Sequence, residues 1–270
     1  MNSSSRSSTE NKDVLRLNGV TKNFGGITAC KNISFGVGEG RIIGLIGPNG
    51  AGKTTVFNLI TGVYAPTAGS ITFKGRELTG CRPDQMVARG IARTFQNIRL
   101  FRNLSVLDNV RIAIDKHVSY PLGAALLRLP GVLRQEEMVR QLAMDYLEAV
   151  GLADKAGVRA DSLPYGLQCK LEIARALALK PELLLLDEPA AGMNPEESRE
   201  LAQLIRGIHR RHNLTILLIE HHMDVVMDLC ERIVVLHFGE KLAEGTADEI
   251  QTNPEVLRAY LGEGYKRAGS

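Results

Sequence analysis

The sequence predicts an α/β fold with a mainly parallel sheet, an antiparallel β region at its N-terminal side and a helical lobe, on three observations. An apolar run, Arg41 to Ile46, is followed at once by "GPNGAGKTT". From Pro181 onward, short apolar runs alternate with helical segments, the pattern of parallel strands joined by right-handed crossovers. Between these, from Leu104 to Leu179, apolar residues recur at helical spacing.

In chain order, β-like runs cover Val14 to Val20, Asn32 to Val37, Arg41 to Ile46 and Ser70 to Lys74, separated by Gly-rich turns. Apart from its first residue, Arg41 to Ile46 has no polar side chain, which suits a strand covered on both faces. In "QEEMVRQLAMDYLEAVGL" the residues Leu142, Tyr146, Leu147 and Val150 form one stripe of a helix. After Pro181 come a strand over Leu183 to Leu186, a helix over Pro195 to His212, a strand over Thr215 to Ile219, a helix over Asp224 to Cys230 and a strand over Ile233 to His237. The expected organisation is a tail over 1–12, one domain over 13–262 and a flexible tail over 263–270. Within the domain, 13–96 and 181–262 form the core and about 97–180 the helical lobe.

A chain of 270 residues, 44% hydrophobic and 23% charged, has the composition of a globular protein. Its net charge of +3 gives only weak support to nucleic acid or an anionic membrane surface as partner, and a solvated mixed surface accounts for it better. Cys30, Cys81, Cys169 and Cys230 lie far apart with no CxxC spacing, which predicts free thiols and no zinc site. Residues 1–12 lack the apolar core of a secretory signal. No window is apolar enough to cross a membrane, and the nearest approach, "SYPLGAALLRLPGVLR", is broken by prolines and arginines.

The chemistry is concentrated in "GPNGAGKTT". Gly47, four residues, then Gly52, Lys53 and Thr54 make a phosphate-binding loop. Its glycines let backbone N–H groups converge on phosphate oxygens, the following helix adds its positive end, and Lys53 reaches the outer phosphates. Asn49, Gly50, Ala51 and Thr55 complete the cradle, and the Thr54 hydroxyl is a ligand for Mg²⁺. Such a site needs an acid at the carboxyl end of a neighbouring strand, and "LLLLDEP" supplies Asp187 for Mg²⁺ and Glu188 to polarise an attacking water. The run "LTILLIE" ends at His221 and His222, so an imidazole emerges at the same edge, where it can bond a terminal phosphate. Gln96, after a short strand in "ARTFQNIRLF", can touch both Mg²⁺ and that water. "SLPYGLQ", on local sequence, is an ordinary loop-to-helix boundary.

Taken in order, the phosphate loop, Gln96, "LPYGLQ", "LLLLDEP" and His221 resemble the ATP-binding subunits of ABC transporters over about residues 14–262. The resemblance implies an ATPase using ATP and Mg²⁺, with Phe24 of "TKNFGG" stacking on adenine. It makes "SLPYGLQ" the signature loop, so that Tyr165 and Gly166 face ATP held by a second ATPase subunit, the helix beginning near Leu167. Pro164, Tyr165 and Leu167 depart from that loop's commonest form, as do Asn194 and His222 from the aspartates usual at their places.

"ARTFQNIRLFRNLSVLDNV", a helical insert between His117 and Arg140, "LIEHHMDVVM" and "NPEVLRAYLGEG" are together similar to the larger ATPase subunit of branched-chain amino acid importers. This implies transmembrane permease subunits as partners, a solute-binding protein acting indirectly, a seat on the cytoplasmic face of the membrane and no nucleic acid. The stretch from Gln96 to Asn109 is the expected coupling surface. Two alternatives are another cargo, such as urea, other amino acids or lipid, and an ABC-type switch on nucleic acid. Against the second stand a single ATPase core and no dense basic stripe.

Overall fold

The computed structural model describes residues 13–115 and 130–267. A four-stranded antiparallel sheet has the order β2-β1-β4-β5, with β1 at Asp13–Phe24, β2 at Ile27–Gly38, β4 at Ala68–Phe73 and β5 at Arg76–Glu77. A six-stranded sheet has the order β10-β9-β3-β8-β7-β6, from β3 (Ile42–Ile46), β6 (Ile91–Arg93), β7 (Leu183–Asp187), β8 (Thr215–Ile219), β9 (Arg232–His237) and β10 (Glu240–Gly245). Every pairing in the second sheet is parallel except that of β10 with β9.

Alternation along the strands builds two cores, because successive side chains point to opposite faces. Ile42 and Ile46 of β3, Leu184 and Leu186 of β7, and Ile216 and Leu218 of β8 enter the core shared with the helical lobe. Ile43 and Leu45, Leu183 and Leu185, and Leu217 and Ile219 face the antiparallel sheet and helix α1, Lys53–Ile60. Strands buried on both faces have no polar period, which is why they read as unbroken apolar runs. Phe57 of α1 is fully buried there, a side chain whose removal from water contributes about 1.5–3 kcal/mol.

A short helix α2 (Pro83–Ala88) leads into β6. The lobe consists of α3 (Val106–Asp115), α4 (Pro130–Ala149) and α5 (Tyr165–Ala178). Its core is made by i, i+4 series, Val106, Val110 and Ile114 from α3 meeting Val139, Ala143 and Leu147 from α4. The buried stripe of α4 thus runs through Val139, Ala143 and Leu147, with Leu142 and Tyr146 on its half-buried flank. The small side chain of Ala143 hid that register in the sequence. Part of the expected insert, residues 116–129, and the expected tail 1–12 lie outside the described residues.

Beyond β7 follow α6 (Pro195–His212), α7 (Met223–Leu229), α8 (Ala247–Thr252) and α9 (Pro254–Arg267). Helix α9 runs past Gly262, where the domain is expected to end, as far as Arg267. Only Gly264 opposes propagation there, and each added residue gains one backbone hydrogen bond. Helix α5 also starts earlier than expected, at Tyr165, because Pro164 with φ −53° serves as the N-cap and its carbonyl accepts from Leu167 and Gln168 N–H.

Candidate functional site

The phosphate loop joins β3 to α1 at the carboxyl edge of the parallel sheet. Gly47 lies against β9 so closely that a Cβ there would stand 2.2 Å from the Leu236 carbonyl oxygen. Gly52 has φ 98° and would bring a Cβ within 2.8 Å of the Ala29 carbonyl. Both glycines are therefore steric requirements of the loop. Lys53 is 5% exposed, and its Nζ donates to the Gly47 and Pro48 carbonyls at 2.6 and 2.9 Å, which braces the loop from within.

A cavity of about 510 Å³ opens over this loop. Of the residues expected to bind nucleotide, Asn49, Gly50, Ala51, Gly52, Lys53, Thr54 and Thr55 line it, joined by Gln96 and Glu188. Ile27, Thr28, Ala29, Phe238 and Gly239 also line it and carry no signal in the sequence, because they come from the start of β2 and from the turn between β9 and β10, far apart in the chain. Phe238 is 81% exposed at a hairpin tip with φ 46°, a position where a bulky residue is unusual. Phe24 is not among the lining residues; its ring meets Tyr64 edge-to-face at 5.0 Å, with Lys22 Nζ 5.0 Å from its centroid.

The acids sit where β7 ends. Asp187 is 4% exposed and accepts from Arg93 at 2.6 Å, Arg93 in turn donating to Asn58 Oδ1 at 2.7 Å. Glu188 has φ 50° and its N–H donates to the Ile219 carbonyl at 2.9 Å. A non-glycine residue in that region carries strain, here spent on turning a carboxylate into the cavity mouth. Gln96 Nε2 donates to Glu188 Oε2 at 2.7 Å, and His221 Nε2 lies 2.6 Å from Glu188 Oε1. A carboxylate only accepts, so Nε2 carries the proton in that contact. Two segments far apart in sequence thus converge on one carboxylate.

Mg²⁺ is held by hard oxygen donors, usually few from protein with the rest from phosphate and water. The Thr54 hydroxyl and the Gln96 carbonyl oxygen are such donors on the cavity wall, whereas the Asp187 carboxylate, a third, is not among the lining residues and is paired with Arg93. Among the described residues no cluster of three or more His, Cys, Asp or Glu could hold a metal unaided.

Tyr165 and Gly166, the expected signature-loop residues, lie outside this cavity. Tyr165 is 43% exposed, and a Cβ on Gly166 would meet only Met193 Cε, at 3.9 Å. Among the described residues nothing therefore demands glycine at 166. As the first residues of α5, both have N–H groups without an acceptor in the helix. Asn194 caps α6, its Oδ1 accepting from Glu196 and Glu197 N–H at 2.9 and 3.0 Å.

The stretch expected to couple to a partner divides in two. Asn109 is fully buried and bonds the Phe101 N–H and the Phe101 and Ser105 carbonyls, so it is an internal staple. Phe95, Arg99 and Phe101 instead line a groove of about 340 Å³ with Val63, Ile112 and Arg175. Phe101 and Ile112 are 47% and 40% exposed there, and the Arg99 and Arg175 guanidinia lie 4.3 and 5.2 Å from the Phe95 and Phe101 ring centroids.

A cavity of this shape is made for a nucleotide's phosphates, and the helical lobe set beside the P-loop core narrows the class to ATP-binding cassettes, which are ATPases. Comparison with known proteins then gives the family. Residues 30–191 match the ABC transporter family, to which the chain belongs, and residues 240–266 match one described as branched-chain amino acid ATP-binding cassette transporter. The chain is 47% identical over 250 residues to the high-affinity branched-chain amino acid transport ATP-binding protein LivG of Salmonella typhimurium, covering 93% of this chain and 98% of that one. An ATP-binding cassette of an ABC transporter solved in its ADP conformation is 28% identical with a TM-score of 0.80, covering 93% of this chain and 99% of that one. A dimeric cassette in a post-hydrolysis state, bound to ADP and Pi, is 28% identical with a TM-score of 0.72, covering 86% and 98%.

Proposed function

We propose that this chain is the ATP-hydrolysing subunit that energises import of branched-chain amino acids through a membrane complex. One observation carries the catalytic part: Glu188, at the mouth of the phosphate-loop cavity, is held from both sides by Gln96 and His221. The cargo rests on the likeness to LivG and on the separate match of residues 240–266.

ATP enters with its phosphates over the loop, met by the N–H groups of Asn49 to Thr55 and the positive end of α1. Lys53 turns its Nζ from the Gly47 and Pro48 carbonyls toward the outer phosphates. Thr54, Gln96 and Asp187 would hold Mg²⁺, which when bound would supply positive charge to the transferring phosphoryl group. Glu188 accepts the proton of the attacking water, a step worth about 10²–10⁴-fold. His221 lets go of Glu188 to bond the γ-phosphate, and Gln96 positions the water. Phe24 supplies the aromatic face for adenine once Tyr64 yields to it.

Two such chains, or this one and a second ATPase subunit, sandwich two nucleotides. Tyr165 and Gly166 then bring the amino end of α5 to the neighbour's γ-phosphate, close approach being what a glycine without an internal packing role permits. Permease subunits dock in the groove around Phe95, Arg99 and Phe101, one residue from Gln96, so that their movement is felt at the hydrolytic water. That contact seats the protein on the cytoplasmic face of the membrane, while a periplasmic or extracellular solute-binding protein acts indirectly, through the permease. Among the described residues no helix is long and apolar enough to cross a membrane, so attachment rests on those partners.

The test is Glu188→Gln. ATP affinity by titration should stay within about threefold of the native value, while turnover falls at least about 10²-fold. Turnover at the native rate removes Glu188 as the base, and transport of leucine by the reconstituted complex decides the cargo.

A further inference from the structure

Glu220 has no part in the chemistry just described, yet it is 1% exposed and stands between the two loops that carry it out. A buried carboxylate costs several kcal/mol unless its lone pairs are met. Here they are. Oε1 accepts from the Ala190 N–H at 2.7 Å, in the loop that follows Glu188. Oε2 accepts from the His221 N–H at 2.9 Å and the His222 N–H at 3.2 Å, with His222 Nδ1 also at 3.2 Å.

The two oxygens are thus divided between two loops. That division exploits a property only a carboxylate has, two acceptor atoms rigidly joined and no donor. A glutamine of the same shape would set an NH₂ against one row of N–H groups. The strand register explains why the position matters: Asp187 pairs with Ile219 in the β7–β8 ladder, so Glu188 and Glu220 leave the sheet side by side. Beyond that point the ladder gives way to loops, and Glu220 replaces it as the tie between them.

We propose that Glu220 is a positioning residue, which locks the loop bearing Glu188 and the loop bearing His221 into one body and so maintains the 2.6 Å Glu188–His221 contact. The inference rests on the reading of Glu188 and His221 as hydrolytic residues. Through this tie, displacement of the loop from Ala190 to Asn194 is passed to the imidazole.

The experiment compares Glu220→Gln in the native background with Glu220→Gln in a His221→Ala background, using the full chain and single-turnover hydrolysis. In the native background the rate constant should fall at least about tenfold, with ATP affinity within about twofold and a cooperative melt retained. In His221→Ala, where the contact is already lost, the same change should alter the rate less than about twofold. An equal loss in both backgrounds, an unchanged rate, or parallel loss of affinity overturns the proposal. If Glu220→Gln does not fold, Glu220→Asp, which keeps both acceptors on a shorter arm, is carried through the same pair. Should that also fail to fold, the residue is structural and the proposal falls. Glu188→Gln run alongside separates the failures: native turnover in it removes the catalytic reading, whereas its loss together with background-independent Glu220 effects removes only this one.

Discussion

His221 Nε2 and Glu188 Oε1 lie 2.6 Å apart across the ends of two adjacent parallel strands. The pair gives each residue a resting partner, so neither side chain has to be ordered from solvent when ATP arrives. Replacing His221 by Ala frees Glu188 but removes the donor for developing phosphate charge. Loss of one such donor costs about 10²–10³-fold in turnover. His221→Ala should therefore lower kcat by that order while ATP affinity, measured by titration, changes less than about threefold. A parallel fall in both would mean that the imidazole binds ground-state ATP.

Asn194 stands where the resemblance implies an aspartate, and its side chain serves as a helix cap, a role that either residue can fill. It forms a capping box with Glu197, whose Oε2 accepts the Asn194 N–H at 2.9 Å. Asn and Asp are about equal as N-caps, while Ala at that place costs about 0.5–2 kcal/mol. Chemical denaturation should show that loss for Asn194→Ala and almost none for Asn194→Asp. Any change in ATPase rate that Asn194→Asp produces then belongs to the added charge, not to the helix.

What could be read from the sequence was whatever carries its own local signal. The buried strands are apolar runs, the phosphate loop has its fixed spacing, and Asp187 and Glu188 are acids that break an apolar run. Glu220 breaks another such run, but its meaning comes from the Ala190 N–H of a loop distant in sequence. Arg93 was invisible because its meaning comes from Asp187, 94 residues away, and from Phe57 and Phe95, whose ring centroids lie 5.4 and 5.0 Å from its guanidinium. β5 and β10 were missed because short or polar edge strands, such as Glu240–Gly245, lack an apolar period. Pro164 as the cap of α5 shows the opposite case: in a stretch that reads only as a loop-to-helix boundary, it is the residue that starts the helix.

The thiols make alkaline stability a measurement of core packing. Burial pushes the Cys30 thiol up to about 11, and it is the main cause of the rise of Cys169 and Cys230 to about 12, with nearby carboxylates adding to it. Their ordinary value is 9.0, so in the unfolded chain they ionise from about pH 9 while the folded chain keeps their protons. The folded state then binds more protons than the unfolded one. The contribution to stability is complete below pH 9 and is lost as pH rises toward 11–12, at a rate approaching about 1.4 kcal/mol per pH unit for each thiol. Urea denaturation of Cys230→Ala between pH 8 and 11 should show a slope shallower than native by nearly that amount. Equal slopes would mean that this thiol ionises in the folded state.

Arg93 and Asp187 form an ion pair whose side chains are 7% and 4% exposed. Taking both charges out of water is costly, and the pair survives because Arg93 is also bonded by Asn58 and flanked by two aromatic faces. Removing one partner leaves the other as an uncompensated buried charge, a loss of about 3–5 kcal/mol, whereas removing both together costs far less. Arg93→Met should thus destabilise the protein by about that amount in urea denaturation, and adding Asp187→Leu should restore most of it. Additive losses would instead show that the two side chains act independently, with Arg93 serving as packing between Phe57 and Phe95. Nucleotide binding separates the same cases, since Arg93→Met leaves the phosphate loop intact and should retain ATP binding wherever the variant is folded.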